Sequence, residues 1–577
     1  MRIAARIALT TVLFASSMSF ADEYLTPQDH PDFAKPQFIG RPLDKAYPGL
    51  EYNIRPAIKG GRYPYAFALV EGPAGMTIDP HKGTVRWNAP EVEGKTFKVT
   101  IRLTDADGKT TSQSFEVLVS KKGFYFVGPR GHDATGDGSV EKPWRSIEKA
   151  NRPSERFRYP SGAVVYVRGG EYRVNVAPEP GRRGLRGGNV VTIGRNSPRR
   201  WMAYPGEKPV IDFGWTRERH DKAHAEKKRT GAKQIDTGGY GCGFYIQGAA
   251  DDFYFDGFEV RNNWDKTFKL VDGVEGATFR RCDMHDLYCE GANNPSFIFT
   301  ASAKKRGPRR TWGERPDADW HRHLVIQDNH FHDRFRYEGF HGGAMVFYTV
   351  RDALVEDNRI EKISRGHAIA DKDSGWGNTY RGNRMQGILG LLTQGFNEDI
   401  EICHNYIQGP VAVGGQRGWM RNIWIHHNTI EGNVKLFGGD STVPEGLGDA
   451  GGDFSGPETA DTRRLLKAAP KHKALVHFYR NVLTVPGGES GDANVILTIH
   501  DGRFFAERFR YLRWDENLID AKGGVRVLWG KFRPWSLMTA PGFDAKSVVA
   551  QVKLDAEGNL PPGSPYRRLY GHEVPAK

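Results

Sequence analysis

Short apolar strands recur along most of the chain, and each closes on a polar residue followed by asparagine. The series is Gln327-Asp328-Asn329, Glu356-Asp357-Asn358, Arg381-Gly382-Asn383, Cys403-His404-Asn405, His426-His427-Asn428, Tyr479-Arg480-Asn481 and Asp515-Glu516-Asn517. Successive asparagines lie 29, 25, 22, 23, 53 and 36 residues apart. A repeat of ~22–25 residues holds three strands of about five residues with their turns. Asparagine suits such a bend because it tolerates the left-handed conformation and its amide can bond to the asparagine of the next coil. The pattern predicts an all-β fold whose main body is a right-handed parallel β-helix, stable only as a stack of many coils. The longer gaps mark insertions, at about 291–320 and 438–473. If Met345, Ile369, Leu391 and Val413 pack inside, strand alternation turns Tyr348, Lys372, Gln394 and Gln416 or Arg417 outward in one column, which Asp272 extends.

The first part of the chain has a different rhythm. Residues 22–45 read as a linker, and residues 46–120 as a module of period-two strands such as Phe97-Lys98-Val99-Thr100-Ile101-Arg102-Leu103 and Phe115-Glu116-Val117-Leu118-Val119. Asp105-Ala106-Asp107-Gly108 reads as a hairpin turn between them. This stretch resembles the Ig-like, cadherin-like modules of exported bacterial proteins, which implies a small β-sandwich with a spacer or adhesive role. From residue 121 to 577 the β-helix follows. Its opening, Gly131-His132-Asp133-Ala134-Thr135-Gly136-Asp137-Gly138-Ser139, then Pro143 to Ala150, then Ala163-Val164-Val165-Tyr166-Val167, resembles the first turn of pectin-lyase-like β-helices. There a short helix covers the open end of the coil, where unpaired strand edges would otherwise invite association.

Charge and targeting narrow the class. Arg2 and Arg6, the apolar run Ile7–Phe14 and the small-x-small site Ser19-Phe20-Ala21 read as a secretory signal, residues 1–21, cut after Ala21. No run is long enough for a membrane span. The expected location is periplasmic or extracellular, and the expected state a monomer. The formal charge of +13 then points to an acidic polysaccharide rather than nucleic acid. Four cysteines, Cys242, Cys282, Cys289 and Cys403, form no Cys-x-x-Cys pair; Cys282 and Cys289 could bridge in an oxidising compartment, a pairing that sequence alone does not assign.

Candidate chemistry centres on His367-Ala368-Ile369-Ala370-Asp371-Lys372-Asp373 and on Gly414-Gly415-Gln416-Arg417. Eliminative cleavage of a uronate needs a neutralised carboxylate, a base for the C5 proton and an acid for the leaving oxygen. Arg365, His367 and Arg417 are candidates for the first, Lys372 for the base, and Tyr348 or His341 for the acid. Gln394, Gln416, Asp272, Trp376 and Trp419 are candidate sugar contacts. Both segments resemble the alginate lyase and chondroitinase B family. That resemblance implies lyase activity with Lys372 as the proton-abstracting lysine, and it matches Arg417 to a Gly-Gly-x-Arg stretch. The family's Leu-Arg-His-Gly motif is replaced here by Leu392-Thr393-Gln394-Gly395, so its arginine does not transfer. Asp371 and Asp373 flank Lys372 and would raise its pKa; as metal ligands, for Ca2+, they would instead relieve that effect. The rival enzyme class is a glycoside hydrolase pairing Asp371 or Asp373 with Asp272, Asp440 or Asp501. A third class is a non-catalytic adhesin or carbohydrate-binding protein.

Overall fold

The computed structural model describes residues 35–174, 191–237, 241–248, 250–290, 294–301, 320–338, 341–372, 374–391, 396–414, 419–436, 476–484, 495–499, 512–520, 526–529, 531–534, 546–567 and 569–572. The expected signal peptide, the 438–473 insertion and residues 291–293 and 302–319 of the 291–320 insertion lie outside these residues; Ser296–Thr300, inside the expected insertion, is a strand of the coil itself.

From residue 124 onward the chain winds through three sheets in turn, of 12, 15 and 12 strands among the described residues. One coil passes from Gly343–Phe347 in the first sheet to Leu354–Glu356 in the second and Arg359–Ile360 in the third. The next coil repeats this with His367–Asp371, Thr379–Arg381 and Arg384–Gln386, each strand parallel to its predecessor. The structure is therefore the expected parallel β-helix. Its interior is a set of in-register columns: Met345, Ile369, Leu389, Val411 and Val434 stack coil upon coil and are all buried in one continuous core. The short helix Ile147–Asn151 closes the first end, capped by the Ser146 hydroxyl and burying Ile147 and Ala150 in that core.

The asparagines stand at the bend between the second and third sheets. Asn383 Oδ1 accepts from the Asn358 amide and Nδ2, and Asn405 Oδ1 does the same for Asn383, so the side chains form a buried ladder. The left-handed residue is not the asparagine, however, but the one before it. Asp328, Asp357, Gly382, His404, His427, Arg480 and Glu516 have φ of 56, 55, 66, 55, 50, 54 and 56°. The left-handed step thus falls on the residue before the asparagine, and the asparagine side chain that follows it is buried.

The N-terminal module is a β-sandwich. Its long hairpin pairs Lys95–Thr104 with Thr110–Val119 and buries Val99, Ile101 and Leu103 on one face. Part of the expected linker belongs to it, since Gln37–Ile39 pairs with Ala57–Lys59. The module packs on the outer face of the second sheet. Ala57 meets Val325 and Leu354. Arg55 bridges Asp328, Glu356 and Asp357 at 2.7, 3.1 and 2.8 Å. Arg381 pairs with Glu356 at 2.6 Å and donates to Tyr65 Oη and the Ile58 carbonyl. One face of the coil is thus covered, and the first sheet, which carries the candidate residues, is a different face. The helix Arg217–Thr230 was not expected. It is almost wholly polar, starts at a Thr216 cap and stops at left-handed Gly231.

Candidate functional site

In the first sheet, Val346 pairs with Ala370 and Phe347 with Asp371. Met345, Phe347 and Ile369 fill the core, so alternation turns Val346, Ala370, Tyr348 and Lys372 outward. Val346, Ala370 and Tyr348 form a small outer cluster with Phe299. Thr300 on the preceding coil fixes the backbone of Tyr348, accepting from its N–H at 2.7 Å and donating to its carbonyl at 2.9 Å. Over the small side chains of Val346 and Ala370, Tyr348 and Lys372 both reach Asn294: its Nδ2 donates to Tyr348 Oη at 2.9 Å, and Lys372 Nζ donates to its Oδ1 at 3.3 Å. The ammonium lies 5.8 Å from the Tyr348 ring centre.

Two imidazoles share this field. Burial and the charges of Lys372 and Arg336 hold His341 below the ordinary histidine range. His367 is pushed down to about 4 by burial, with Lys372, Arg334 and His341 adding to the effect and a bond to the Gly342 backbone opposing it. Both rings are therefore neutral near pH 7, so His367 does not supply the positive charge expected of it, and His341 is better suited to accept a proton than to donate one. Beneath them lie two buried arginines. Arg334 donates to the carbonyls of Pro295, Ser364 and His341, at 3.1, 2.8 and 2.6 Å. Arg336 donates to those of Glu338 and His341, at 2.6 and 2.8 Å. Both guanidinium groups meet on the carbonyl of His341, which fixes its backbone and places positive charge under the wall. Sequence reasoning missed Asn294, Arg334 and Arg336. The arginine pair had a signal, because Arg334-Phe335-Arg336 alternates and sends both guanidinium groups to one side; nothing in Asn294-Pro295 marks the asparagine.

Other expected members fall elsewhere. Asp371 is fully buried and faces the interior, where Asn378 Nδ2 and Tyr380 Oη donate to it at 3.0 and 2.8 Å. It does not fit a calcium ligand on the outer wall, and its carboxylate lies on the opposite side of the backbone from Lys372. Asp373, Gln394, Gln416 and Arg417 lie outside the described residues, as does the Trp419 side chain. The register also revises the expected column. Asp371 pairs with Leu391 and Leu391 with Val413, so Lys372 is one residue past the ladder, whereas Gln394 and Gln416 are three and Arg417 four past it. Counting back from the asparagine failed because the loops between the first and second sheets differ in length. Asp272 is exposed beyond the strand Lys266–Leu270, and Arg365 is exposed on the turn before His367–Asp371, at the far end from Lys372. Trp376 belongs to the second sheet, with Arg351 stacked 3.8 Å over its ring and its indole N–H bonded to Asp399 at 3.0 Å.

The two carboxylates proposed for hydrolysis that are described, Asp371 and Asp272, are divided between core and surface. All four cysteines are free, buried thiols, so the Cys282–Cys289 bridge is absent. No helix among the described residues is long and apolar enough to cross a membrane.

Comparison with known proteins adds the following. No curated protein matches the chain. Two of the solved structures it matches are a putative alpha-galactosidase and a putative alpha-galactosidase/melibiase, both from Bacteroides fragilis. They are 9% and 12% identical, each over 40% of this chain, with a TM-score of 0.16. The chain spans 57% of the length of each. Residues 43–120 match the family described as Putative Ig domain, in agreement with the β-sandwich seen there.

Proposed function

We propose that the protein is an exported polysaccharide lyase that cleaves an acidic, uronate-containing glycan by β-elimination on the outer wall of the first sheet. The observation that carries this reading is the meeting of Lys372 and Tyr348 at Asn294, beside a neutral His341. Lys372 and Asn294 receive the uronate carboxylate, with Arg334 and Arg336 adding positive charge from below. His341 takes the C5 proton, whose electron pair forms the C4–C5 double bond as the C4–O bond breaks. Tyr348 gives its proton to the departing oxygen. This differs from the family resemblance, in which Lys372 would be the base. It is preferred because a neutral imidazole accepts a proton near pH 7, whereas a protonated lysine stabilises the carboxylate and the developing enolate. No step runs through a metal.

The test is incubation with alginate, pectate and glycosaminoglycans. Strong ultraviolet absorbance from an unsaturated product supports elimination. New reducing ends without that absorbance would mean hydrolysis, and saturable binding without turnover would mean a binding protein; either would overturn the reading.

A further inference from the structure

The outer face of the third sheet carries a second cluster that the proposed reaction does not use. Glu259–Arg261, Asp283–Met284, His330–Phe331 and Arg359–Ile360 are successive strands there, with Asp283 in register with His330. Met284 and Phe331 are buried in the core. Alternation then turns Asp283, His330 and His332 outward, where their side chains are 31, 32 and 18% exposed. Their ligand atoms all lie within 4.8 Å of one another. Asp283 Oδ1 is 3.0 Å from His332 Nε2 and 3.4 Å from His330 Nδ1. Two atoms that each bind zinc at ~2.0–2.2 Å in tetrahedral geometry stand ~3.3–3.5 Å apart, a spacing that the His330 contact already has and that the His332 contact reaches with a small outward shift of the ring.

The far side of each ring supplies an independent argument. His332 Nδ1 is held by Asp333 Oδ2 at 2.6 Å, and His330 Nε2 by Glu361 Oε1 at 3.1 Å. Metal-binding histidines characteristically place their second nitrogen on a carboxylate, which fixes the ring and presents the other nitrogen as a lone pair. Here each ring has a carboxylate on its far nitrogen and turns its near nitrogen to one oxygen, Asp283 Oδ1, where a metal ion would replace the proton that His332 shares with Asp283. Lys208 occupies the other oxygen of Asp283, at 3.3 Å. Imidazole with carboxylate suits zinc better than calcium or magnesium, which take oxygen ligands.

We infer that Asp283, His330 and His332 bind one zinc ion, with its fourth position open to solvent. Asp283 belongs to one coil and both histidines to the next, so the ion ties the two coils together across the insertion between them. A competing cluster, Glu401, Cys403 and His426, is wholly buried and supplies the control.

The test uses the full chain, stripped with a chelator and titrated with zinc alone by calorimetry and with cobalt by visible absorption. One equivalent should bind, and cobalt should show the intense bands of a tetrahedral site. His332→Ala should weaken binding at least tenfold, and Asp333→Asn, which keeps all three ligands, by about 10–100-fold. Cys403→Ser should change nothing, and far-ultraviolet circular dichroism checks that each variant is folded. Absence of saturable zinc binding, unchanged affinity in His332→Ala, or loss confined to Cys403→Ser would each overturn the assignment.

Discussion

Replacing Asn405 with alanine removes one rung of the ladder, and the structure specifies what is left behind. Asn405 is completely buried. Its Oδ1 accepts from the Asn383 amide and from Asn383 Nδ2, at 2.9 and 3.0 Å. Its Nδ2 donates to the Tyr380 carbonyl and to Asn428 Oδ1, at 2.8 and 3.0 Å. Alanine takes these partners from the Asn383 amide and the Tyr380 carbonyl, while Asn383 Nδ2 keeps its bond to the Val355 carbonyl at 2.9 Å. Asn428 Oδ1 keeps the Asn405 backbone N–H. At ~1–3 kcal/mol for each of these two buried groups, discounted for local relaxation, the loss is about 2–4 kcal/mol. Because a stacked-coil protein is coupled mainly between neighbours, the damage should be local. Native-state hydrogen exchange reads this directly: the Asn383 amide should lose most of its protection, while the Asn329 amide, two rungs away, keeps its own. As a reference, Gln408→Ala on the partly exposed third sheet should stay within about 0.5 kcal/mol. A loss below about 1 kcal/mol, or protection lost evenly along the ladder, would refute the view that these amides hold adjacent coils in register.

Four further outcomes follow from the structure. Glu356→Gln leaves Arg55 and Arg381 buried without their shared carboxylate, and urea unfolding should show a loss of about 3–5 kcal/mol. In the native protein burial raises the pKa of Glu356, but the Arg381 and Arg55 charges outweigh it and hold the carboxyl below its ordinary range. The stability this contributes is present above about pH 4.3 and is lost as pH falls through the lower folded value, so acid titration should loosen the module from the second sheet. His367 and His572, each held at about 4 mainly by burial, act in the same direction. The unfolded chain takes up their protons below about pH 6.5, so stability should decline from there towards pH 4 in a melting series. For catalysis with His341 as base, the acid limb of kcat/KM should have its midpoint below about 6.5; a limb near pH 9 would return the role to Lys372.

The coil and the asparagine-to-asparagine bonding were legible in the sequence because each depends on a short period repeated many times, whereas the left-handed step falls one residue before the asparagine and the column through Ile369 runs to Leu389 and Val411 rather than Leu391 and Val413. The module was legible from strand alternation such as that of Val99, Ile101 and Leu103. What escaped was whatever depends on loop length or distant contact. Asparagine counting put Gln394 level with Lys372, but strand pairing puts Asp371 opposite Leu391. Parity placed Tyr348 and Lys372 on one wall, and by the same rule Asp371 had to point inward, so its assignment as a surface ligand was avoidable. Asn294 meets Lys372 from 78 residues away, and no local pattern announces such a meeting. The helix Arg217–Thr230 lacks an apolar stripe and shows only its caps and the Arg217–Asp221 pair.

The most direct test compares Lys372→Ala and Tyr348→Phe with the unaltered protein on whichever uronate polymer yields the ultraviolet-absorbing product, with circular dichroism confirming the fold. Loss of the lysine charge and of the phenol proton should each lower kcat/KM by about 10²–10⁴. Full activity in both variants would mean that cleavage takes place away from the wall where Tyr348 and Lys372 meet Asn294.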